Sequence, residues 1–286
     1  MSRLWTRRGV MGVMAAAGAT AFVRPAAADG LLAKVKAAGV LKIGIADNIP
    51  WSKLNPDGSL TGIAPLTVIA VAKQLGIPKI EATVGTYGQL VPGLLAGRWD
   101  MVGASMTISP ERCAQVLFVD PFYRGDESQY VGYLAGAAKE KPKSFVDVVK
   151  MFDKVGINSG SAELPYWQRA METAGKKVEM VQFTDPQLAV EGLKTGRVPV
   201  ITNDSKTMQL MQKQQGGFEI APVDSGHPTR GSAGAFRKED QDFRVAFVAE
   251  QRELKKSGEI KKILAEFGYE YDERFMNLSG DEACKL

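Results

Sequence analysis

Cysteine and histidine are scarce in this chain. Its 286 residues include two cysteines, Cys113 and Cys284, and a single histidine, His227. A zinc site made of cysteine and histidine needs about four such ligands, so the sequence excludes one. A serine-histidine-aspartate triad would depend on His227, and no GxSxG motif supplies its serine. The two cysteines either form a disulfide or remain free thiols, and their spacing does not decide between the two.

Long apolar runs are absent beyond the first thirty residues. Three arginines precede an uncharged run from Gly9 to Val23, and a run of small residues ends at Ala28. This order predicts an export signal over residues 1–28 that is cleaved after Ala28. The uncharged run is shorter than the ~20 apolar residues of a membrane-spanning helix. Because Arg7 and Arg8 also resemble a twin-arginine signal, that route and the general secretory route both stay open.

An excess of charge of one sign is missing once this leader is removed. The chain has 36 basic and 32 acidic side chains, and the leader carries four arginines and no acid, so 32 basic and 32 acidic side chains remain. Without clustered basic residues or interleaved aromatic residues, the chain lacks the features of a nucleic-acid-binding protein. Its 45% of apolar residues suffice for two compact units or one large domain.

The most informative stretch runs from Gly88 to Cys113. It predicts a helix, then a strand over Trp99–Val102 and a loop of small residues over Gly103–Thr107. A second short helix is expected after Ser109, a residue type that caps helix N-termini. Free backbone N–H groups, hydroxyl groups and the guanidinium of Arg112 are suited to binding a carboxylate. The alternative is an ordinary capped helix with a solvated arginine.

Strands, polar loops and helices alternate along the rest of the chain. The pattern predicts strands near residues 39–45, 80–84, 154–157, 178–183, 198–202 and 232–236. It predicts helices near residues 63–75, 87–96, 144–152, 162–174 and 186–195, and one long helical stretch over 241–267. Such alternation is typical of βαβ units in an α/β fold, in which ligands bind at the carboxyl ends of the strands. Because the order repeats, we expect two lobes of similar design.

Several motifs together resemble a known family. In chain order they read GVLKIGIA, DGSLTG, LVPGLLAGRWD, MTISPER, FVDPFY, VGINSGS, LKTGRV and AFRKEDQDFRVAF, and the resemblance covers essentially all of residues 38–270. This combination resembles the bacterial extracellular solute-binding proteins of ABC importers for polar amino acids, family 3. Within that family, the stretch VGTYGQLVPGLLAGRWDMVGASMTISPERC is most similar to binding proteins for ectoine and hydroxyectoine.

The resemblance implies the two-lobed, type II periplasmic-binding-protein fold. Each lobe would contain a mostly parallel sheet flanked by helices, with the ligand cleft between the lobes. The chain would cross between lobes near residues 126–132 and 221–226, so that lobe 1 comprises 29–129 and 225–286 and lobe 2 comprises 130–224. The resemblance also implies a periplasmic monomer that delivers its ligand to an ABC permease in the inner membrane, without a metal or cofactor.

Four residues match the family's positions for a ligand carboxylate. Arg112, Ser105 and Thr107 would hold this group from lobe 1. Ser161, in the family's Gly-Ser/Thr position, would reach the same carboxylate from lobe 2.

Four more residues match positions around the body of the ligand. Trp51 and Tyr87 would flank or stack on it, and the alternative for both is core packing. Asp204 would pair with a ligand ammonium group, or would instead cap a helix at the backbone of Lys206 and Thr207. Asn48 stands where ectoine binders have an acid.

Two departures from the ectoine binders bear on the ligand. Asn48 replaces their acid, and Thr107 replaces their aromatic residue just before the short helix. Together with Asp204, these residues favour an α-amino acid or a close zwitterionic derivative, with ectoine-like solutes as the alternative. The mechanism implied is binding without chemistry, in which the ligand stabilises the closed arrangement of the lobes.

An enzyme on the same scaffold is the alternative from another class. Some proteins that resemble this family are dehydratases of prephenate or arogenate, which need a general acid or base in the cleft. Glu163 and Asp204 are the candidates for that role in this sequence.

Overall fold

A computed structural model describes residues 30–124, 128–226, 228, 230–271 and 273–286. The predicted export signal, with its cleavage after Ala28, lies outside these residues, as do His227 and part of the first predicted crossing between lobes. The described residues form two five-stranded sheets and a small two-stranded hairpin, with helices packed around them.

Strands and helices are numbered along the chain. The strands are β1 (Val40–Ala46), β2 (Lys53–Leu54), β3 (Leu60–Thr61), β4 (Lys79–Gly85), β5 (Met101–Thr107), β6 (Leu117–Phe118), β7 (Gln129–Tyr133), β8 (Lys154–Asn158), β9 (Glu179–Phe183), β10 (Val200–Asp204), β11 (Glu219–Val223) and β12 (Ser232–Phe236). The helices are α1 (Leu31–Ala38), α2 (Ile63–Gln74), α3 (Tyr87–Leu95), α4 (Pro110–Cys113), α5 (Phe145–Met151), α6 (Leu164–Ala174), α7 (Pro186–Lys194), α8 (Ser205–Gln215), α9 (Gln241–Lys256), α10 (Glu259–Glu266), α11 (Glu273–Met276) and α12 (Gly280–Ala283).

The two sheets define two lobes of the same design. Lobe 1 is built on the sheet β4-β1-β5-β12-β6, in which β4, β1 and β5 are parallel and β12 is antiparallel to both neighbours. Lobe 2 is built on the sheet β11-β7-β10-β8-β9, in which β10, β8 and β9 are parallel and β7 is antiparallel to both neighbours. The two-lobed α/β fold is therefore confirmed, and the parallel part of each sheet is its βαβ portion.

Two segments connect the lobes, one between β6 and β7 and one between β11 and β12. At the lobe 1 end, the first segment is hydrogen-bonded to Ser232, the residue at which the second segment joins β12. The N–H of Phe122 donates to the carbonyl of Ser232 at 2.8 Å, and the N–H of Ser232 donates to the carbonyl of Tyr123 at 2.9 Å. The lobes are thus joined by a paired connection rather than by two separate tethers.

Strand β5 differs from the sequence prediction. The loop expected over residues 103–107 is the second half of the strand, which begins at Met101 and ends at Thr107. The reason is its long-range partner β12, which pairs Ser232 with Thr107 and Ala233 with Met106. Small residues fit there because a Cβ on Gly103 would lie 2.7 Å from Ile43. A partner 125 positions away leaves no local signal in the sequence.

Each lobe has its own hydrophobic core. Lobe 1 buries its sheet between α2, α3 and α9, with Ile43, Val68 and Phe247 fully buried. In lobe 2, α5 and α6 cover one sheet face, where the rings of Phe145 and Trp167 stack with centroids 3.7 Å apart. Helices α7 and α8 cover the opposite face. The cores are separate, which allows the lobes to move as units.

The long helical stretch predicted over residues 241–267 is two helices. Helix α9 ends at Lys256 and α10 begins at Glu259, because Gly258 adopts φ of 82°, a left-handed conformation that breaks a helix. In the described ranges, none of the helices is long and apolar enough to cross a membrane.

The C-terminal segment is fixed to lobe 1 by a disulfide between Cys113 and Cys284. Of the two alternatives left by the sequence, the disulfide is therefore the one the structure contains. An ion pair between Arg244 and Asp281 at 2.6 Å supports the same contact. Cys113 ends α4, so the disulfide also anchors the short helix that carries Arg112.

Removal of this disulfide should lower the free energy of unfolding by about 2–5 kcal/mol. The bond links residues 171 positions apart, so its loss increases the conformational entropy of a large loop in the unfolded chain. Denaturant unfolding of the C113S/C284S variant measures the effect. A reductant should destabilise the wild type to a similar degree and leave the variant unchanged, and equal stability of both proteins without reductant would refute the prediction.

Candidate ligand-binding site

A cavity of about 90 Å³ lies between the two lobes. Its walls come from the carboxyl ends of parallel strands in both sheets, where ligands bind in open α/β sheets. The residues predicted from the sequence all line this one cavity: Asn48, Trp51, Tyr87, Ser105, Thr107, Arg112, Ser161 and Asp204.

Arg112 extends from the short helix α4 into the cavity. Its Nη1 donates to the carbonyl of Thr107 at 2.7 Å, and its Nη2 donates across the cleft to the carbonyl of Gly160 at 2.9 Å. Burial lowers the pKa of Arg112, and the negative charge of Glu163 opposes that shift. Arg112 forms no ion pair with the described residues. A buried guanidinium held only by carbonyl groups is prepared for an anion.

Three buried polar atoms on the cavity wall have no hydrogen-bond partner among the described residues. They are the Oγ of Ser105 at the end of β5, the Oδ1 of Asn158 at the end of β8 and the Oγ1 of Thr202 in β10. Buried polar atoms normally find a partner, because an unsatisfied one costs about 1–3 kcal/mol. Both lobes thus offer polar groups to a bound molecule.

Trp51 is packed in the lobe 1 core and also lines the cavity. Its ring packs against Tyr123 and Tyr269, with centroids 5.6 and 5.1 Å away, which is core packing. It also lines the cavity, and its Nε1 donates across the cleft to Oδ2 of Asp204 at 2.8 Å. The indole ring therefore bridges the lobe 1 core and lobe 2.

Asn48 and Tyr87 form a second polar contact near the lobe boundary. The Nδ2 of Asn48 donates to the Tyr87 hydroxyl at 3.3 Å, and its Oδ1 lies 3.2 Å from the hydroxyl of Thr207 in lobe 2. Burial raises the pKa of Tyr87 above its ordinary value, so the phenol keeps its proton. Tyr87 can therefore act as a hydrogen-bond donor in the cavity.

Asp204 is the N-cap of α8, which is one of the two alternatives that the sequence left open. Its Oδ1 accepts from the backbone N–H groups of Lys206 at 3.1 Å and Thr207 at 2.9 Å. Its Oδ2 accepts from Trp51 and, at 2.7 Å, from the Thr207 hydroxyl. Burial raises the pKa of Asp204, and these hydrogen bonds oppose the rise. The carboxylate faces the cavity while it caps the helix, so the two roles do not exclude each other.

Ser161 is engaged differently from the sequence expectation. Its hydroxyl donates to Oε2 of Glu163, and the N–H of Glu163 donates back to the hydroxyl oxygen at 3.3 Å. Because a hydroxyl has one proton, Ser161 in this arrangement has none left for a ligand carboxylate. The Ser161–Glu163 pair therefore presents acceptor groups to the cavity.

The lobes are closed onto each other at two glycines. A Cβ built on Gly160 of lobe 2 would lie 1.9 Å from the backbone nitrogen of Gly88 and 2.3 Å from its Cα. Gly160 also adopts φ of 75°, which favours glycine. This contact leaves no room for a side chain at Gly160.

The chain matches the family described as bacterial extracellular solute-binding proteins, family 3, over residues 41–270. It belongs to this family. A probable amino-acid ABC transporter periplasmic-binding protein of Sinorhizobium fredii is 31% identical over 249 residues, which cover 83% of this chain and 80% of that protein. An L-arginine-binding protein of Pseudomonas aeruginosa is 27% identical, with coverage of 75% and 82%.

A solved structure similar to this solute-binding protein is EhuB in complex with hydroxyectoine. The TM-score is 0.72 and the identity 26%, over 89% of this chain and 97% of EhuB. An ancestral arginine-binding protein bound to arginine gives a TM-score of 0.70 and 29% identity, with coverage of 81% and 99%. The two similar structures thus hold different classes of ligand.

The solute-binding protein also has cavity residues that sequence reasoning did not select. Asn158 and Thr202 lie at or near the carboxyl ends of parallel strands, a position that could have identified them. For Glu163, the sequence predicts only the role of a general acid or base in the dehydratase alternative. Tyr123 reaches the cavity from the first connection between lobes, and Ser232 reaches it from the start of β12. Tyr123 is the last residue of the motif FVDPFY, which could have identified it.

Replacement of Asp204 by asparagine should change the stability of the ligand-free protein in a pH-dependent way, and the comparison with the wild type should favour the variant more at pH 8 than at pH 4. Because burial raises the folded-state pKa, the contribution of Asp204 to stability is fully present below its unfolded value and is lost as the pH rises through the folded value. The asparagine side chain keeps an oxygen for the helix cap and carries no charge at any pH. The stability of D204N relative to the wild type should therefore fall towards pH 4.

Thermal unfolding without ligand at pH 4 and pH 8 measures this difference. D185N is the matched control, since Asp185 caps α7 in the same lobe and does not line the cavity. A D204N variant that is less stable than the wild type by the same amount at both values of pH would contradict the prediction.

Proposed function

We propose that this protein is the periplasmic binding component of an ABC importer and that it binds an α-amino acid or a related zwitterion between its lobes. The observation that carries the proposal is the guanidinium of Arg112, which faces the interlobe cavity without an acidic partner among the described residues. A ligand carboxylate is the group that completes this geometry through paired charge-assisted hydrogen bonds. The family and the amino-acid transporter relatives support the same class of function.

A negative charge on the lobe 2 wall, opposite in sign to Arg112, supports a zwitterionic ligand over a simple anion. The carboxylate of Asp204 faces the cavity opposite Arg112, and a ligand ammonium group would compensate its charge. The unpartnered hydroxyl groups of Ser105 and Thr202 would complete the polar contacts from both lobes. The flanking aromatic rings of Trp51 and Tyr87 would exclude water from the body of the ligand.

Binding would act through closure of the lobes. Contacts such as that between Arg112 and Gly160 exist only when the lobes meet, so a ligand that touches both walls stabilises the closed form over the open one. An inner-membrane ABC permease would then recognise this closed form. The predicted export signal supports a periplasmic location, which cell fractionation would test.

A thermal-shift panel of amino acids, ectoine, hydroxyectoine, opines and prephenate tests the proposal. A ligand that binds only the folded protein raises its melting temperature in proportion to the logarithm of ligand concentration over Kd. We expect the largest increase in melting temperature with a free α-amino acid. A panel in which no amino acid shifts the melting temperature would overturn the amino-acid assignment.

Ectoine-like solutes are the second candidate, because the structure of EhuB with hydroxyectoine is similar to this chain and three aromatic residues, Trp51, Tyr87 and Tyr123, line the cavity here. A larger shift with ectoine than with every amino acid would select that candidate. Steady turnover of prephenate in a product assay would instead establish the dehydratase alternative, with Glu163 or Asp204 as its acid.

A further inference from the structure

Three side chains with a full charge line the cavity within the described residues. Arg112 contributes one positive charge, and Glu163 and Asp204 contribute two negative charges. Glu163 and Arg112 do not form an ion pair among the described residues, and the two terminal nitrogens of Arg112 donate to the carbonyl groups of Thr107 and Gly160. The cavity wall therefore carries an excess of one carboxylate.

The hydrogen bonds at Glu163 add to this imbalance. The proton of Ser161 is donated to Oε2, and no hydrogen bond to Oε1 occurs among the described residues. Asn158 contributes a further unpartnered oxygen to the same wall. This part of lobe 2 thus presents acceptors, which suit a cationic donor and repel a carboxylate.

A simple zwitterion leaves one of these charges uncompensated. Its carboxylate would pair with Arg112 and its ammonium group with Asp204, so that no ligand group would compensate the charge of Glu163. An unpaired charge in a site that excludes water is unfavourable, and a second cationic group on the ligand removes that cost.

We propose that Glu163 selects a ligand with a second cationic group, such as a diamino or guanidino monocarboxylate. This inference rests on the proposed function, since it takes the ligand to be an amino acid. Ser161 is then a positioning residue, because its hydroxyl proton is donated to Glu163 and holds that carboxylate in place. The same hydrogen bond explains why the Ser161 hydroxyl has no proton to donate to a ligand carboxylate.

Two pairs of ligands that match in shape and differ in charge test the proposal by titration calorimetry. L-arginine is compared with L-citrulline, and L-2,4-diaminobutyrate with L-homoserine. The wild type should bind the cationic member of at least one pair about tenfold or more tightly than its neutral partner. E163Q keeps an oxygen that can accept from Ser161, and it should lose that preference. E172Q removes an exposed carboxylate from α6, the helix that begins after Glu163, and should keep it.

The remaining outcomes each contradict the inference in a distinct way. Equal affinities in the wild type, or a preference that survives in E163Q, would show that Glu163 does not select charge. Tighter binding of both members of a pair by E163Q would identify Glu163 as a competitor for Arg112. If none of the four compounds binds but another amino acid does, the inference is wrong and the proposed function stands; if no amino acid binds, the proposed function itself fails.

Discussion

Replacement of Arg112 by alanine should weaken binding of an amino-acid ligand about 100-fold or more. The variant removes the charged partner of the ligand carboxylate, and truncation of one member of a buried charge pair costs about 2–5 kcal/mol. It also removes the hydrogen bond that joins Arg112 to Gly160 across the cleft. Titration calorimetry with whichever amino acid gives the largest thermal shift measures the loss.

Two further variants separate charge from geometry at this position. R112K keeps the positive charge and loses the planar fork, so we expect an affinity between those of R112A and the wild type. R98A removes an exposed arginine from the same lobe and should bind like the wild type. Unchanged affinity in R112A would exclude Arg112 from the site.

Replacement of Gly160 by alanine should reduce ligand affinity about 10- to 100-fold, because the closed form becomes overpacked by roughly 1–3 kcal/mol. The added Cβ would lie 1.9 Å from the backbone of Gly88, and backbone at this distance must move. Separation of the lobes would remove this contact. The ligand must therefore offset the cost of closure with part of its binding energy.

Gly196 provides a matched control for this variant. It lies in lobe 2 with φ of 74°, nearly the same as the 75° of Gly160, and a Cβ there would meet no atom within 4 Å. G196A thus shares the backbone strain of G160A and lacks its collision with lobe 1. If both variants lose affinity equally, the loss comes from strain within lobe 2, and closure at Gly88 is not the cause.

The elements with strong local signals could be predicted from the sequence. Helix α2 and strand β4 follow the expected ranges closely, since apolar spacing and a glycine or proline boundary define both. Strand β5 was predicted to end too early, because β12 completes its pairing from far along the chain. The break at Gly258 was also missed, since an amphipathic pattern continues on both sides of it.

The residues of the candidate site could be predicted where their position relative to the end of a strand places them in the cavity. The predicted residues line the cavity because they follow the carboxyl ends of parallel strands. Partnerships between side chains could not be predicted in the same way. The donation from Ser161 to Glu163 and the joint role of Asp204 as cap and cavity wall depend on distances that only the folded chain defines.

The paired connection between the lobes has a mechanical consequence. Tyr123 and Ser232 are hydrogen-bonded at this connection and also line the cavity, so a molecule bound there would lie close to the axis of a lobe rotation about the connection. Displacement in a rotation grows with distance from the axis. If the lobes rotate about this connection, a small adjustment around a ligand would become a larger movement at the outer rims of the lobes. A partner that touched both rims would then respond to the bound molecule without contacting it.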